Sequence, residues 1–118
     1  MKKTEAISMF MVLAPIPATK FTAEIQSVLL SNYLKLYAIA KAHDEKRDVA
    51  KNKLVAEGIT DDNVLKQKLD NVMGEYLNED AGVDFQKIDR DKFLAEATKA
   101  GVEITLAQIG ILEPMFNA

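Results

Sequence analysis

The chain has 118 residues, 48% hydrophobic and 28% charged, with a net charge of −3, one histidine and no cysteine. That is one domain's worth of chain, because two halves of about 60 residues would each be marginal for a private core. The missing cysteine excludes a disulfide framework, thiolate catalysis and thiolate metal sites, the single histidine excludes any site that needs two, and no apolar run reaches the roughly 18 residues of a bilayer span.

Thr4 is placed to cap a first helix, Glu5 to Ala14, with Glu5 favourable in its first turn. Only Ser8 is polar between Ala6 and Ala14, so a helix here needs cover on several sides, and a strand is the competing reading. Pro15-Ile16-Pro17 stops either element. Lys2 and Lys3 before Ile7–Ala14 superficially resemble a secretory leader. Glu5, the short apolar stretch, the two prolines and the lack of an A-x-A site argue against one, which makes the cytoplasm the expected compartment.

A long helix is predicted next, from Ala23 behind Thr22 to a stop at Gly58, with no Gly or Pro between. Roughly 35 residues span about 50 Å at 1.5 Å per residue. A globule of about 100 residues has a radius of gyration of only about 13 Å, so this helix should protrude, bend or pack against another chain. Ile25, Leu29, Leu36, Ile39 and Ala40 mark one stripe, and Val28, Leu30, Tyr33, Leu34 and Tyr37 widen it past half the circumference, which places the first half in the core. From His43 to Asp48 nearly every residue is charged, which reads as a solvated or partner-bound arm. A third helix, capped by Thr60 or Asp61, carries Leu65, Leu69, Val72, Met73, Tyr76 and Leu77 at helical spacing and should fold back through the Gly58 turn as a hairpin.

The last third changes character. Val83 to Ile88 alternates apolar and polar, the strand signal, and Val102-Glu103-Ile104 is a second short alternating piece expected to pair with it. Asp89 can cap a helix from Arg90 to Ala100 with Phe93, Leu94 and Ala97 inward, stopped by Gly101. Thr105 and Gln108 form a capping-box pattern that opens a final helix carrying Leu106, Ile109, Leu112 and Met115. The expected fold is therefore mainly α, α+β at most. It is one domain, 1–118: residues 1–58 as short and long helices, 59–80 as the third helix, and 81–118 as a small part of two strands and two helices.

Charge is uneven. Residues 1–42 hold five lysines and two glutamates, net +3, residues 43–56 are net +1, and residues 57–118 hold six basic and thirteen acidic groups, net −7. The acidic half and the sparse N-terminal lysines predict no nucleic-acid footprint. Motifs with chemistry fail one by one. His43 and Asp44 are adjacent in sequence, and such neighbours do not face each other on a helix, so an exposed histidine is expected. Asp61-Asp62, Glu79-Asp80 and Asp89 with Asp91 sit at helix starts, where capping accounts for acidic residues. A calcium loop starting at Asn78 has Val83 where glycine is required. The five glycines are scattered singly and form no phosphate cradle, and residues 105–110 open like a helix-turn-helix with no recognition helix to follow. No enzyme, cofactor or metal site is expected.

Two features suit protein contacts. Met9, Phe10 and Met11 read first as core packing, and the alternative is an exposed face, since methionine and aromatics are favoured at partner surfaces. The first half of the long helix is a candidate oligomerisation element, with an internal hairpin as its alternative. Together they define a candidate interface of Met9, Phe10, Met11, Leu29, Tyr33, Leu36 and Tyr37.

The tracts Val83-Asp84-Phe85-Gln86-Lys87-Ile88-Asp89, Glu103-Ile104-Thr105, Gln108 and Leu112-Glu113-Pro114-Met115 resemble the C-terminal part of small phage and prophage proteins of unknown function. Those proteins share the layout of a short helix, a long charged helix and an acidic tail. The resemblance implies a phage-related setting with a structural, assembly or host-interaction role, and carries no catalytic residues. The expectation is an interaction module with a protein partner, a homo-oligomer among the options. The alternative is an inhibitory module that binds a basic protein through its acidic half.

Overall fold

A computed structural model describes residues 1–117, which are mainly helical (73%) with five α-helices and no β-strand among them. These are α1 (Lys3–Leu13), α2 (Ala23–Ala56), α3 (Asp62–Asn78), α4 (Arg90–Lys99) and α5 (Leu106–Leu112), with single 3₁₀ turns at Ala18–Lys20 and Glu113–Met115.

The apolar stretch is helix as far as Leu13, with Ala14 as its C-cap, and the helix starts earlier than expected from a cap at Thr4. The Lys2 N–H donates to the Glu5 carboxylate at 2.9 Å, and α1 runs from Lys3. After the proline turn, α2 packs back along α1: Phe10 meets Tyr33 and Tyr37, while Leu13 and Ala14 share a cavity wall with Leu29 and Leu30. Thr22 does not cap α2 with its own side chain. Instead its N–H and hydroxyl both donate to Glu96 of α4, at 2.9 and 3.0 Å. A carboxylate at this helix start is also favoured by the helix dipole. Lys92, one turn earlier on α4, pairs with Glu24.

At 34 residues α2 sets the shape, a rod of 54 × 26 × 21 Å with a radius of gyration of 17.3 Å. Gly58 ends α2 at φ +92°, where its N–H reaches the Val55 carbonyl and the Ile59 N–H reaches Leu54, the paired bonds of a Schellman cap. Asp61 then caps α3, accepting from Asn63 and Val64 at 3.0 Å. Lys46 and His43 of α2 both reach the Tyr76 ring of α3, which makes the pair an antiparallel hairpin. Beyond His43 the arm is mostly solvated, and its two helices meet through half-buried Ala50 and Leu54 on α2 and through Ile59, Leu65 and the buried Leu69 and Met73 opposite.

The predicted C-terminal strands are not present. Residues 83–87 have no regular secondary structure, with Val83 and Phe85 half-buried, Asp84, Gln86 and Lys87 exposed, and Ile88 buried, so the apolar side chains do face inward. What is missing is a partner strand. The Val102 N–H is consumed by the Ala97 carbonyl in a second Schellman cap around Gly101 (φ +73°), and the Thr105 N–H by Gln108 in the capping box. Residues 102–104 make no backbone bond to 83–88 and lie between these two caps. Side chains of α2 satisfy the 83–88 backbone instead. The Asn32 amide donates to the Gln86 carbonyl at 3.0 Å and accepts from the Gln86 N–H at 2.9 Å, and Lys35 donates to the Asp84 carbonyl at 2.7 Å. Only Ile88 finds backbone partners on both sides, Met115 and Asn117, in an isolated parallel bridge to Phe116.

One core spans α1, the first half of α2, Phe21, and the packed parts of the C-terminal third. Phe93 is its aromatic centre, stacked on Phe21 at 5.4 Å and tilted against Phe116 at 5.6 Å. Leu106, expected to face inward, is 87% exposed; α5 is only seven residues long and buries Leu112 instead.

The N-terminus is tied across the α3 exit. The Met1 ammonium pairs with Asp80 at 3.1 Å and Lys3 with Glu79 at 2.9 Å, while Lys3 N–H to Glu79 and Ala81 N–H to Met1 add backbone bonds. Lys3 holds the Glu79 carboxyl below its usual range, and the terminal ammonium, helped by the Gly82 N–H, does the same for Asp80. A lowered carboxyl pKa contributes stability above the ordinary carboxylate range and loses it as pH falls through the folded value. Below about pH 4 the tie should therefore loosen. The amide resonances of Lys3 and Ala81 should shift with acid while those of Leu29 and Leu36 hold; Glu79→Gln with Asp80→Asn should abolish the titration.

Candidate interaction surface

The candidate interface residues divide into two groups. Met9, Leu29 and Leu36 are core, at 0%, 2% and 0% exposure. They point into the protein and are not available to a partner. Phe10 and Tyr33 are half-buried, whereas Met11 is 70% and Tyr37 45% exposed.

Helix geometry explains the division. The buried stripe of α2 is Ile25, Leu29, Asn32 and Leu36, spaced 4, 3 and 4. Leu30, Tyr33, Leu34 and Tyr37 form a second stripe with spacing 3, 1 and 3, turned to one side of the first. The core does not cover it: Leu30 is 52% and Leu34 57% exposed. The wide apolar girth of α2 thus serves two surfaces, one internal and one open.

Phe10 joins this second stripe to α1. Its ring lies 5.6 Å from Tyr33 and 6.3 Å from Tyr37, and the two tyrosines stack at 6.1 Å. Such offset aromatic contacts preorganise a surface at low entropic cost. Above the cluster, a shallow cavity of about 180 Å³ opens between the end of α1, the turn at Ile16 and Ala18, and the Leu29–Tyr33 stretch.

The surface is also nearly free of charge. No ionic residue occurs from Ala6 to Thr19, and between Glu24 and Lys41 the only one is Lys35, whose ammonium is bound to the Asp84 carbonyl. Leu30, Leu34, Ala14, Ile16 and Ala18 were missed as surface residues from sequence. The available signal was Asn32: a polar residue in the expected core stripe becomes intelligible only when Gln86 is seen to satisfy it.

A second cluster lies at the base of the hairpin. His43 is packed rather than exposed, its side chain 17% accessible, and its ring stacks on Tyr76. Its Nδ1 does reach the Asp44 carboxylate at 3.2 Å, despite their adjacency in sequence. Lys3 lies 3.9 Å and Lys46 4.6 Å from the Tyr76 ring centre, so three helices meet on one aromatic ring. These contacts join α1, α2 and α3.

The acidic groups serve several internal roles. Asp61 and Asp89 cap helices, Glu79 and Asp80 hold the N-terminus, and Glu96 holds Thr22. Glu79 and Asp80, expected as caps, are thus tertiary ties instead. Among the described residues no group of three or more His, Asp or Glu side chains is arranged to hold a metal ion, and no helix is long and apolar enough to cross a membrane. No protein-family model matches the chain, and no curated protein or solved structure matches it.

Proposed function

We propose that this chain is a non-enzymatic protein–protein interaction module, a structural or assembly component in a cytoplasmic, phage-related setting, acting by helix packing on the α1/α2 surface. The observation that carries this reading is the open stripe. Met11, Leu30, Leu34 and Tyr37 are 70%, 52%, 57% and 45% exposed on a surface almost without charge. Depletion of charge with enrichment of Tyr, Phe and Met is the composition of an interface centre, and the Phe10–Tyr33–Tyr37 ring contacts join α1 to the open stripe of α2. The phage setting rests on the resemblance of residues 83–89 and 103–115. The alternative, an acidic half that grips a basic partner, is weaker because Asp61, Glu79, Asp80, Asp89, Glu96 and Glu113 already have partners within the chain.

A photo-crosslinker at Leu34 tests the reading in the producing cell, with Val49 on the arm, 69% exposed, as the control position. A discrete protein adduct is expected from Leu34 and none from Val49. No adduct from Leu34, or equal adducts from both, would refute it. Stability should be indifferent to the same surface: Met11→Gln and Leu34→Gln should each change the unfolding free energy by less than about 0.5 kcal/mol, whereas Leu36→Gln, which buries an unpartnered amide, should cost several. Urea unfolding of the three variants measures this directly.

A further inference from the structure

We infer that the α1/α2 surface docks a second copy of this chain face to face, with Met11 of each copy entering the cavity of the other; this rests on reading that surface as an interface. The cavity of about 180 Å³ is of a size to take one large apolar side chain, since an apolar cavity of about 150 Å³ accepts a benzene ring. Met11 projects at 70% exposure one helical turn before Ala14, which lines the cavity. Its unbranched thioether adapts to an irregular hole. A projecting side chain and a receiving hole one turn apart on one surface satisfy each other twice when a two-fold axis passes between them, the condition for an isologous dimer.

Charge leaves this occupant open. A surface with no free ionic group from residue 6 to 19, and with only the tethered Lys35 between Glu24 and Lys41, offers nothing to an acidic or basic partner and matches itself. The area sets the strength. Met11, Leu30, Leu34 and Tyr37 together expose rather more than two whole side chains' worth of surface, about 350 Å² per copy at roughly 150 Å² apiece. A standard interface takes about 800 Å² from each partner, so even with its rim this dimer is weak and reversible.

Light scattering coupled to gel filtration, from about 10 µM to about 1 mM chain, should show the mass rise from one chain to two and no further. Met11→Glu should stay monomeric throughout, and the uncharged Met11→Ser should weaken pairing about tenfold. Val49→Glu, on the arm, should dimerise like the parent. The chain has no cysteine, so mixing the single variants Met11→Cys and Ala18→Cys under mild oxidation should yield the mixed 11–18 disulfide in preference to either homodimer. A monomer at every concentration overturns the self-pairing; a Leu34 cross-link to a different protein would then leave the interface reading standing, and no cross-link would remove both. A dimer indifferent to Met11→Glu, or without the 11–18 preference, overturns this docking.

Discussion

Phe93→Ala is expected to lower the unfolding free energy by about 4 kcal/mol, within the 3–5 kcal/mol typical of emptying a buried phenylalanine site. Phe93 is 0% exposed and touches two other rings, Phe21 before α2 and Phe116 near the C-terminus. The loss therefore unties three remote parts of the chain at once. It also loosens α4, which carries Glu96 to the start of α2 and Lys92 to Glu24. For a domain of this size the midpoint should fall by about 15 °C, a large share of a total stability of about 5–15 kcal/mol. Thermal unfolding followed by circular dichroism measures it; a fall of less than about 4 °C would mean that the ring cluster is not the core's centre.

Asn32→Leu should cost about 3 kcal/mol even though it keeps the branched heavy-atom shape and adds apolar surface. The argument is one of pairing. Asn32 is 0% exposed, and its amide makes both a donor and an acceptor bond to Gln86. Leucine leaves the Gln86 N–H and carbonyl without those partners, and each unsatisfied group costs about 1–3 kcal/mol when it is withdrawn from water. Hydrogen exchange should locate the effect: the Gln86 amide loses protection first, and Ile88 with it, while α2 beyond His43 is unchanged. If Asn32→Leu matched the parent within about 0.5 kcal/mol, the amide would be a tolerated passenger in an apolar stripe.

These two positions show where sequence reasoning was sufficient and where it was not. Phe93 was legible as inward-facing because it sits with Leu94 and Ala97 on one face between a capping Asp89 and a stopping Gly101. Asn32 was not read at all. In a one-dimensional pattern it interrupts the Ile25–Leu29–Leu36 stripe, and its partner lies 54 residues away. The strand expectation failed for the same reason. Alternation at residues 83–88 does report which side chains face inward, but a strand is defined by backbone pairing. Here Asn32, Lys35 and the 115–117 backbone take that role.

The exposed apolar surface was half legible. The residue types around Met9–Met11 and Tyr33–Tyr37 lie on the two helices that carry the exposed apolar side chains Met11, Leu30, Leu34 and Tyr37. Which members lie inside could not be read, because an apolar girth wider than half the helix contains both a core stripe and an open one. The angle between them depends on where α1 lands.

What the sequence by itself determined is local. Gly58 and Gly101 end helices because positive φ carries little penalty without a side chain. Asp61, Asp89 and the Thr105–Gln108 pair start them because their oxygens satisfy free N–H groups within three residues. An uninterrupted run from Ala23 to Ala56 makes one long rod. The tertiary structure alone decided that α2 takes its N-terminal partner from Glu96, that residues 83–88 pair with side chains of α2 and not with a strand, and that one apolar stripe of α2 is left uncovered. Each of those depends on groups more than 50 residues apart, or on the side of a helix that a neighbour happens to cover, and neither is written in the spacing of residues along a chain.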